Sequence, residues 1–539
     1  MIFLASAPRG IIQAWTALMI GLLVPLGVTP IVPSNDLFFH TARMFVLQHP
    51  DTPYARNWYQ ADWAVMPNLA IDIIVPPLAS LVGTLPAVNA FVGLTLFLTF
   101  SGVLALHYAL YGRLSWLPLG ACLFIYNQVL FFGFLNYLFG IGLALWALAA
   151  WFYFEDRSSA QILTGVVLAV LLYLSHLFAV VLYGLVIGTA ELPALWRARS
   201  VRLALQRVAA VATPFIVPLL LLLSSRTLDQ AKVTIDYFPD SYFILKVLAF
   251  FSPFVSNYPA YDIWLSLGTV VIAIFGLATR MIRVKREMRL VLVLMPLLVM
   301  AIPTSFMGTY LADFRLPIAA IFLAFAACRF EVTSPTLRIA FAGAVACVFL
   351  FRVSGLAIDF GVAGREAADI GRAFDSLRPG SVLFTGTFDH TPLAFSNLMP
   401  DRWLGLTARR NTLPLGQFST TALLHQPVFV PETLMTPGQQ PTRMLEPYRR
   451  LKSLQSDAVH PWSGDDAHWL DDQQDLERWV ARIRDQASCP EYRFTAIYVV
   501  LVDPLDVVTA PKGARVLYHQ NGYWICDITS AEPAPECRA

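Results

Sequence analysis

The chain has 539 residues, of which 57% are hydrophobic and only 14% are charged, and its mean hydropathy is +0.60. A soluble protein of this size needs far more charge, so the composition indicates a polytopic membrane protein. The net charge of +2 gives no reason to expect nucleic acid as a partner. Residues 1–358 hold long apolar runs, whereas residues 359–539 are mixed in composition. This shift predicts a membrane body followed by a C-terminal water-soluble domain.

The first apolar run, 11–31, is long enough to cross a bilayer and lacks an Ala-x-Ala cleavage site, so we interpret it as an uncleaved helix. Pro33-Ser34-Asn35 then predicts the start of a second helix. In that helix Asp36, His40 and Arg43 are spaced i, i+4, i+7 and share one face of an otherwise apolar segment. Ionisable groups beside hydrocarbon are costly to place, so this cluster is a candidate active site. A structural ion pair between Asp36 and Arg43 is the alternative.

Two further segments are expected outside the bilayer core. Residues 66–85 contain Pro67, Pro76-Pro77 and, just beyond, Pro86, which predicts a peripheral helix interrupted by proline. The loop 225–261 mixes tyrosines with charged residues such as Lys246. This mixture is typical of an interfacial lid and equally of an anchoring aromatic belt.

Apolar runs of the usual bilayer length predict about eleven membrane spans. They lie at residues 11–31, 87–110, 115–132, 135–154, 160–174, 177–192, 208–224, 262–279, 290–306, 310–328 and 337–356.

The basic segments test this count, because arginine and lysine favour the cytoplasmic side. With residues 66–85 peripheral and 160–192 forming a hairpin of two short helices, every basic segment lies on one side. The N-terminus is then cytoplasmic. The loops 32–86, 225–261 and 307–312 and the C-terminal region lie outside, so Asp36, His40 and Arg43 face the extracytoplasmic side.

The C-terminal region, 359–539, is predicted to be an α/β domain. An amphipathic helix at 365–378 precedes strands at 381–385 and 496–502, and a hairpin joins 515–519 to 523–527. The hairpin is indicated by Asn521-Gly522 between two apolar strands. No phosphate-binding glycine motif is present in this region.

Six cysteines divide evenly between the two regions. Three lie in predicted spans. The other three, Cys489, Cys526 and Cys537, lie in the exported domain, where a disulfide is chemically allowed. Three cysteines leave one unpaired, and the sequence does not identify the pairing.

The membrane body resembles the polytopic GT-C glycosyltransferases, the class that includes protein O-mannosyltransferases and lipid A aminoarabinose transferases. The matching pieces are Asn35-Asp36-x-x-x-His40-x-x-Arg43, Val75-Pro76-Pro77-Leu78, Leu174-Ser175-His176 and Phe314-Arg315-Leu316-Pro317. The resemblance covers residues 1–330 and implies a GT-C-like helical bundle. Many members have a second acid between the third and fourth spans, where this chain has Asn127, Gln128, Asn136 and Tyr137.

In such enzymes the donor is a sugar on a polyprenyl phosphate, and transfer inverts the anomeric centre. The resemblance implies that Asp36 is the catalytic base and that His40 assists either this base or the arginine that binds the phosphate. The cations expected to bind the lipid phosphate are Arg43, Arg56 and Arg315, together with His176. The acceptor is a glycan, lipid or protein. No cofactor is expected, although some relatives use a divalent metal.

Two other functions stay open. A transporter or flippase for a lipid-linked glycan would place charged residues in the middle of spans and would show an internal repeat. A non-catalytic scaffold would instead use its external domain to bind a partner. The alanine- and arginine-rich composition favours a bacterial inner membrane, with the C-terminal domain in the periplasm.

Overall fold

The computed structural model describes residues 8–198, 200–227, 235–238, 242–256, 259–306, 309–331, 334–388, 415–433, 435, 439–454, 470–503 and 506–529. The chain divides into two units. The first comprises Met1–Gly27, Ala64–Ile73 and Ala90–Ala357. The second comprises Val28–Trp63, Ile74–Asn89 and Ile358–Ala539. Three helices pass from one unit into the other: Ala70–Val82, Thr84–Tyr111 and Pro335–Phe374.

The first unit is helical. Besides its share of the three passing helices, its α-helices are Arg9–Gly27, Gln128–Phe132, Leu135–Tyr153, Ser158–Ser175, Leu177–Trp196, Val201–Ala212, Ile216–Leu223, Tyr242–Phe251, Pro259–Ala278, Arg289–Ala301 and Ala312–Ala327. Short 3₁₀ helices lie at Leu117–Phe124, Thr213–Phe215 and Arg286–Met288. Two short antiparallel strand pairs join Ile235–Asp236 to Ser305–Phe306 and Ile282–Val284 to Cys328–Phe330.

Eight helices in the described part of the chain are long and apolar enough to cross a membrane. Their positions match eight of the eleven predicted spans, and the chain is an integral membrane protein. The predicted hairpin at 160–192 forms as two helices of 18 and 20 residues that meet at His176. The proline-containing helix Ala70–Val82 has 13 residues, about 20 Å of rise, which is shorter than a bilayer core.

The other three predicted spans coincide with shorter helices. Residues 290–306 and 310–328 correspond to helices of 13 and 16 residues. The segment predicted as one span at 115–132 is not a continuous helix, because the backbone changes from a 3₁₀ helix to a short α-helix at Asn127. The Asn127 side chain accepts a hydrogen bond from the Leu130 N–H and donates to the carbonyls of Phe124 and Ile125. Side-chain bonds of this kind end one helix and start the next.

The second unit combines helices with a four-stranded sheet. Besides its share of the passing helices, its helical segments are Asn35–Gln48, Pro53–Trp58, Leu415–Phe418, Ser419–Leu424, Tyr448–Leu454 and Gln473–Ala487. A short antiparallel strand pair joins Tyr59–Ala61 to Thr442–Met444. The sheet has the order Val382–Thr387, Ile497–Val502, Tyr523–Asp527, Arg515–Gln520, and the first two strands are parallel.

The α/β class predicted for the C-terminal region is confirmed, and its strands form within two residues of the predicted positions. The two parallel strands are buried throughout. Ile497–Val502 is apolar along its whole length, as expected for a strand that is covered on both faces. The helix Gln473–Ala487 crosses between them and buries Leu476, Trp479, Val480, Ile483 and Ala487, one stripe at helical spacing.

The predicted amphipathic helix at 365–378 is not a separate element. It forms the last part of the continuous 40-residue helix Pro335–Phe374, which also contains the predicted span 337–356. The proposed domain boundary after residue 358 therefore lies within one helix. The helix continues through this boundary because no proline lies between residues 357 and 364. The geometry of an α-helix is the same in lipid and in water, so a change of surroundings does not by itself end the helix.

The closing hairpin turns at Asn521 and Gly522, which have φ angles of 52° and 73°. Both residues tolerate the left-handed region, as a tight two-residue hairpin requires. Of the three cysteines in this region, Cys489 is in a disulfide, whereas Cys526 is free and buried in the strand Tyr523–Asp527. Cys537 lies outside the described residues.

Candidate functional site

The predicted second helix forms at Asn35–Gln48, directly after Ser34. Asp36 lies in its first turn and is half-buried. A carboxylate at this position interacts favourably with the positive end of the helix dipole. We call Asp36, His40 and Arg43 the Asp36 group.

His40 and Arg43 are buried in the second unit, with 7% and 1% of their surfaces exposed. Arg43 Nη2 lies 2.9 Å from His40 Nδ1. Because a guanidinium has no acceptor, it donates this bond, so a neutral His40 carries its proton on Nε2. The same helix packs Phe38 edge-on against Phe418, with ring centroids 5.1 Å apart. The Asp36 group thus places a permanent positive charge and a hydrogen-bonding imidazole in a largely apolar setting.

Arg56 has different surroundings. Its guanidinium lies 2.6 Å from the Asp51 carboxylate, and the two side chains are 65% and 86% exposed. Surface ion pairs of this kind contribute little to stability. The contacts of Arg56 therefore do not join it to the Asp36 group, and its role in binding a phosphate stays a prediction.

The structure brings His176 and Arg315 together in the first unit. Arg315 lies in the first turns of the helix Ala312–Ala327, and its Nη1 is 2.9 Å from His176 Nε2. The guanidinium carbon lies 4.3 Å from the centre of the Phe134 ring and 5.5 Å from that of Tyr137. The Tyr137 hydroxyl donates to the backbone carbonyl of Arg315. We call these four residues the Arg315 group.

The hydrogen bonds around His176 contain one donor too many. A neutral imidazole has one N–H and one acceptor nitrogen. Here Nδ1 faces the backbone N–H of Phe178 at 3.1 Å, while Nε2 faces Arg315 Nη1. Only one of these nitrogens accepts at a time, so one contact places two N–H groups against each other. An anionic oxygen at this point would accept hydrogen bonds from both the imidazole and the guanidinium.

The protonation state of His176 sharpens this mismatch. Burial, followed by the positive charge of Arg315, holds the pKa of His176 well below its usual range. The imidazole is therefore neutral at ordinary pH. Arg315 is 6% exposed, and the positive charge of its nearly buried guanidinium attracts anions.

Asn136 connects the Arg315 group to the peripheral segment. Its side chain accepts a hydrogen bond from the Ile71 N–H at 2.8 Å and donates to the Asn68 carbonyl at 2.6 Å. The Leu69 N–H donates to the carbonyl of Leu174, next to the hairpin tip. Asn136, one of the four polar residues that this chain has between the predicted third and fourth spans, thus attaches a loop.

Sequence reasoning did not predict one contact near Arg315, that between Lys246 and Asp313. Lys246 Nζ and the Asp313 carboxylate form an ion pair of 2.7 Å, and the two side chains are 1% and 0% exposed. Asp313 is two positions from Arg315, but Lys246 is 67 residues from its partner. The sequence signal for Lys246 is its position in the segment 225–261, which mixes tyrosines with charged residues.

Among the residues that the structure describes, no group of three or more His, Cys, Asp or Glu side chains is arranged to hold a metal ion. The expectation that the protein needs no cofactor stays a prediction.

No protein-family model matches the sequence, and no curated protein is detectably similar to it. Two crystal structures of ArnT from Cupriavidus metallidurans are similar to the chain, one bound to undecaprenyl phosphate and one in the apo state. Each is 12% identical and aligns with 98% of this chain and with 100% or 99% of ArnT, respectively. The TM-scores are 0.46 and 0.47. At this level the similarity assigns neither a function nor a site residue.

Proposed function

We propose that the protein is a membrane glycosyltransferase that transfers a sugar from a polyprenyl-phosphate donor to an acceptor outside the cytoplasm. The observation that carries the proposal is the Arg315 group, in which a buried guanidinium and a neutral imidazole together present more donors than acceptors. A phosphate of a membrane lipid has the charge and the oxygens to accept these bonds. The sequence resemblance to GT-C enzymes supports the same function.

The reaction needs three events. The acceptor hydroxyl loses its proton to a base, its oxygen forms a bond to the anomeric carbon from the face opposite the phosphate, and the bond from that carbon to the phosphate oxygen breaks. In this proposal Arg315 with His176 stabilises the departing phosphate. Asp36 is the candidate base that the sequence resemblance implies. Arg43 is a further candidate for the phosphate, and His40 a candidate to assist the base.

A translocation function for a lipid-linked glycan is the second candidate. It is favoured by the buried Arg352, 3% exposed, which lies within the candidate span Ile339–Phe374. Its guanidinium is 3.8 Å from Asp262, which is in the first turn of the helix Pro259–Ala278. Charged residues inside spans are expensive and are common along transport pathways. A translocase would move the lipid-linked sugar across a vesicle bilayer without cleaving it.

The test uses purified full-length protein with a panel of radiolabelled polyprenyl-phosphate sugars. Sugar release and undecaprenyl phosphate binding are measured in detergent, and translocation is measured after reconstitution into vesicles. Arg315→Gln should weaken undecaprenyl phosphate binding about 10- to 100-fold, since charge-assisted hydrogen bonds are lost. Asp36→Asn should lower sugar release at least about 100-fold, as expected for removal of a general base.

Arg478→Gln is the matched control, because Arg478 is an exposed arginine on the helix Gln473–Ala487. It should change neither quantity. Sugar release that persists in Asp36→Asn would exclude Asp36 as the base. Sugar that crosses a vesicle membrane intact, without release, would favour translocation.

A further inference from the structure

The helix Tyr242–Phe251 and the residues before it are hydrogen-bonded to the C-terminal end of the helix Arg289–Ala301. Three side chains donate hydrogen bonds to three consecutive backbone carbonyls: Tyr242 to Met300 at 2.7 Å, Tyr237 to Ala301 at 3.1 Å and Lys246 to Ile302 at 2.6 Å. The last carbonyls of a helix have no partners within it and carry its negative dipole end. A lysine at this position therefore satisfies a carbonyl and is attracted by the dipole.

Lys246 also fixes the start of the next helix. Its ammonium donates to Asp313 Oδ2 at 2.7 Å, and the Thr304 hydroxyl donates to the same oxygen at 2.8 Å. Asp313 Oδ1 lies 3.1 Å from the N–H of Phe314. The buried carboxylate thus has partners on both oxygens, which is the condition under which an ion pair is tolerated in an interior.

The contacts continue directly to Arg315. Ser252, just after the helix Tyr242–Phe251, donates to the Phe314 carbonyl at 3.0 Å. The next carbonyl, that of Arg315, accepts from Tyr137, and the Arg315 guanidinium donates to the Tyr310 carbonyl at 3.1 Å. Three consecutive residues, 313 to 315, are therefore each held by a side chain from elsewhere in the first unit.

We propose that Lys246 and Asp313 are positioning residues, whose buried ion pair holds the first turn of the Ala312–Ala327 helix so that the Arg315 guanidinium is kept ready for a phosphate. This inference rests on the proposed function, in which Arg315 binds that phosphate. A binding group is effective only when its supporting contacts hold it within a fraction of an ångström. A buried lysine on the helix Tyr242–Phe251 would thus control the affinity of a site that it does not touch.

The experiment measures undecaprenyl phosphate affinity and thermal stability for four proteins: wild type, Lys246→Met with Asp313→Asn, Arg315→Gln, and the triple variant. Neutralising both partners avoids an unpaired buried charge, so the double variant should stay folded with a Tm close to wild type. Its affinity should fall about tenfold, since small misplacements of binding groups are costly.

The decisive result is coupling between the pair and Arg315. If the pair acts through Arg315, the triple variant should bind no more weakly than Arg315→Gln alone. Arg207→Met with Glu191→Gln is the control, because it removes another ion pair of the first unit, at 3.1 Å, and should leave the affinity unchanged.

The other outcomes separate the two proposals. Two results would overturn the positioning role and leave the phosphate site standing. One is wild-type affinity in the double variant, and the other is a loss of affinity in the triple variant equal to the product of the losses in the double variant and in Arg315→Gln. A double variant that does not fold would show that the pair is needed for stability, which also overturns that role. Wild-type affinity in Arg315→Gln would overturn both the phosphate site and the inference built on it.

Discussion

The three arginines selected from the sequence have very different surroundings. Arg43 and Arg315 are nearly buried and contact histidines at 2.9 Å, whereas Arg56 is exposed and paired with Asp51. Burial decides how strongly a guanidinium attracts an anion, because water weakens the attraction. Sequence spacing predicted that Arg43 shares a helix face with His40. The spacing did not predict how deeply any of the arginines is buried, since burial depends on which other segments cover the side chain.

At the closing hairpin, we expect Gly522→Ala to be strongly destabilising. A Cβ at this position would lie 1.9 Å from the Asp503 carbonyl oxygen, in addition to the positive φ of 73°. A cost of at least about 2 kcal/mol would lower the Tm of a domain of this size by roughly 4–8 °C.

Gly513→Ala provides the control for this prediction. Gly513 has a similar φ of 71°, but its nearest atom, Arg484 Nη2, is 3.8 Å from the added Cβ. It should therefore show only the smaller penalty of the left-handed backbone. Equal Tm losses in the two variants would contradict a role for the clash.

At the scale of elements, hydrophobic length predicted the membrane helices well where they are uninterrupted. It did not predict the interruption within 115–132, where the segment is apolar enough on average for a span but the backbone changes at Asn127. An asparagine inside an apolar run is compatible with a continuous helix and with a break. The outcome depends on whether nearby backbone groups are available to its side chain, and the sequence does not show this.

The attachment of the peripheral segment gives a prediction at this scale. Asn136→Ala removes both hydrogen bonds to the backbone at Asn68 and Ile71. Residues 64–73 should then exchange their amide hydrogens faster, by a factor of about 10, because one to two kcal/mol of local stability is lost.

Hydrogen exchange followed by mass spectrometry measures this effect. Asn89→Ala is the matched control, since Asn89 also donates to backbone carbonyls, those of Thr29 and Pro30, but in the second unit. Unchanged exchange at 64–73 in Asn136→Ala would show that other contacts hold the segment.

At the scale of the whole molecule, the second unit joins parts of the chain that are far apart in sequence. The strand Tyr59–Ala61 pairs with Thr442–Met444, and the Tyr59 hydroxyl is hydrogen-bonded to the backbone of Val430. The sequence divided the chain at residue 358 and assigned the whole first loop to the membrane body. Three-residue strands carry too little pattern to predict a partner more than 370 residues away.

The composition predicted the membrane class and the mixed C-terminal domain because both depend on average properties of long segments. The Asp36 group was also accessible, because its members share one helix. The Arg315 group requires contacts among the segments around residues 134, 176 and 315, and only a family resemblance connected two of its members.

The predicted orientation of the chain is tested by impermeant thiol labelling of spheroplasts. A cysteine at exposed position 478 should react from outside, whereas one at exposed position 286, in a basic loop, should react only after lysis. The chain without an added cysteine gives the background labelling from its own six cysteines. The reverse pattern would invert the topology and place Asp36 in the cytoplasm.

The free cysteine in the second unit bears on how this protein tolerates oxidation. Burial raises the pKa of the Cys526 thiol to about 12, so almost none of it is thiolate. Thiolate is the species that attacks a disulfide, and a side chain within a central strand is also inaccessible to partners. Once the domain is folded, the free thiol of Cys526 is thus kept from exchanging with the disulfide at Cys489. A third cysteine in this region is therefore compatible with an oxidising compartment.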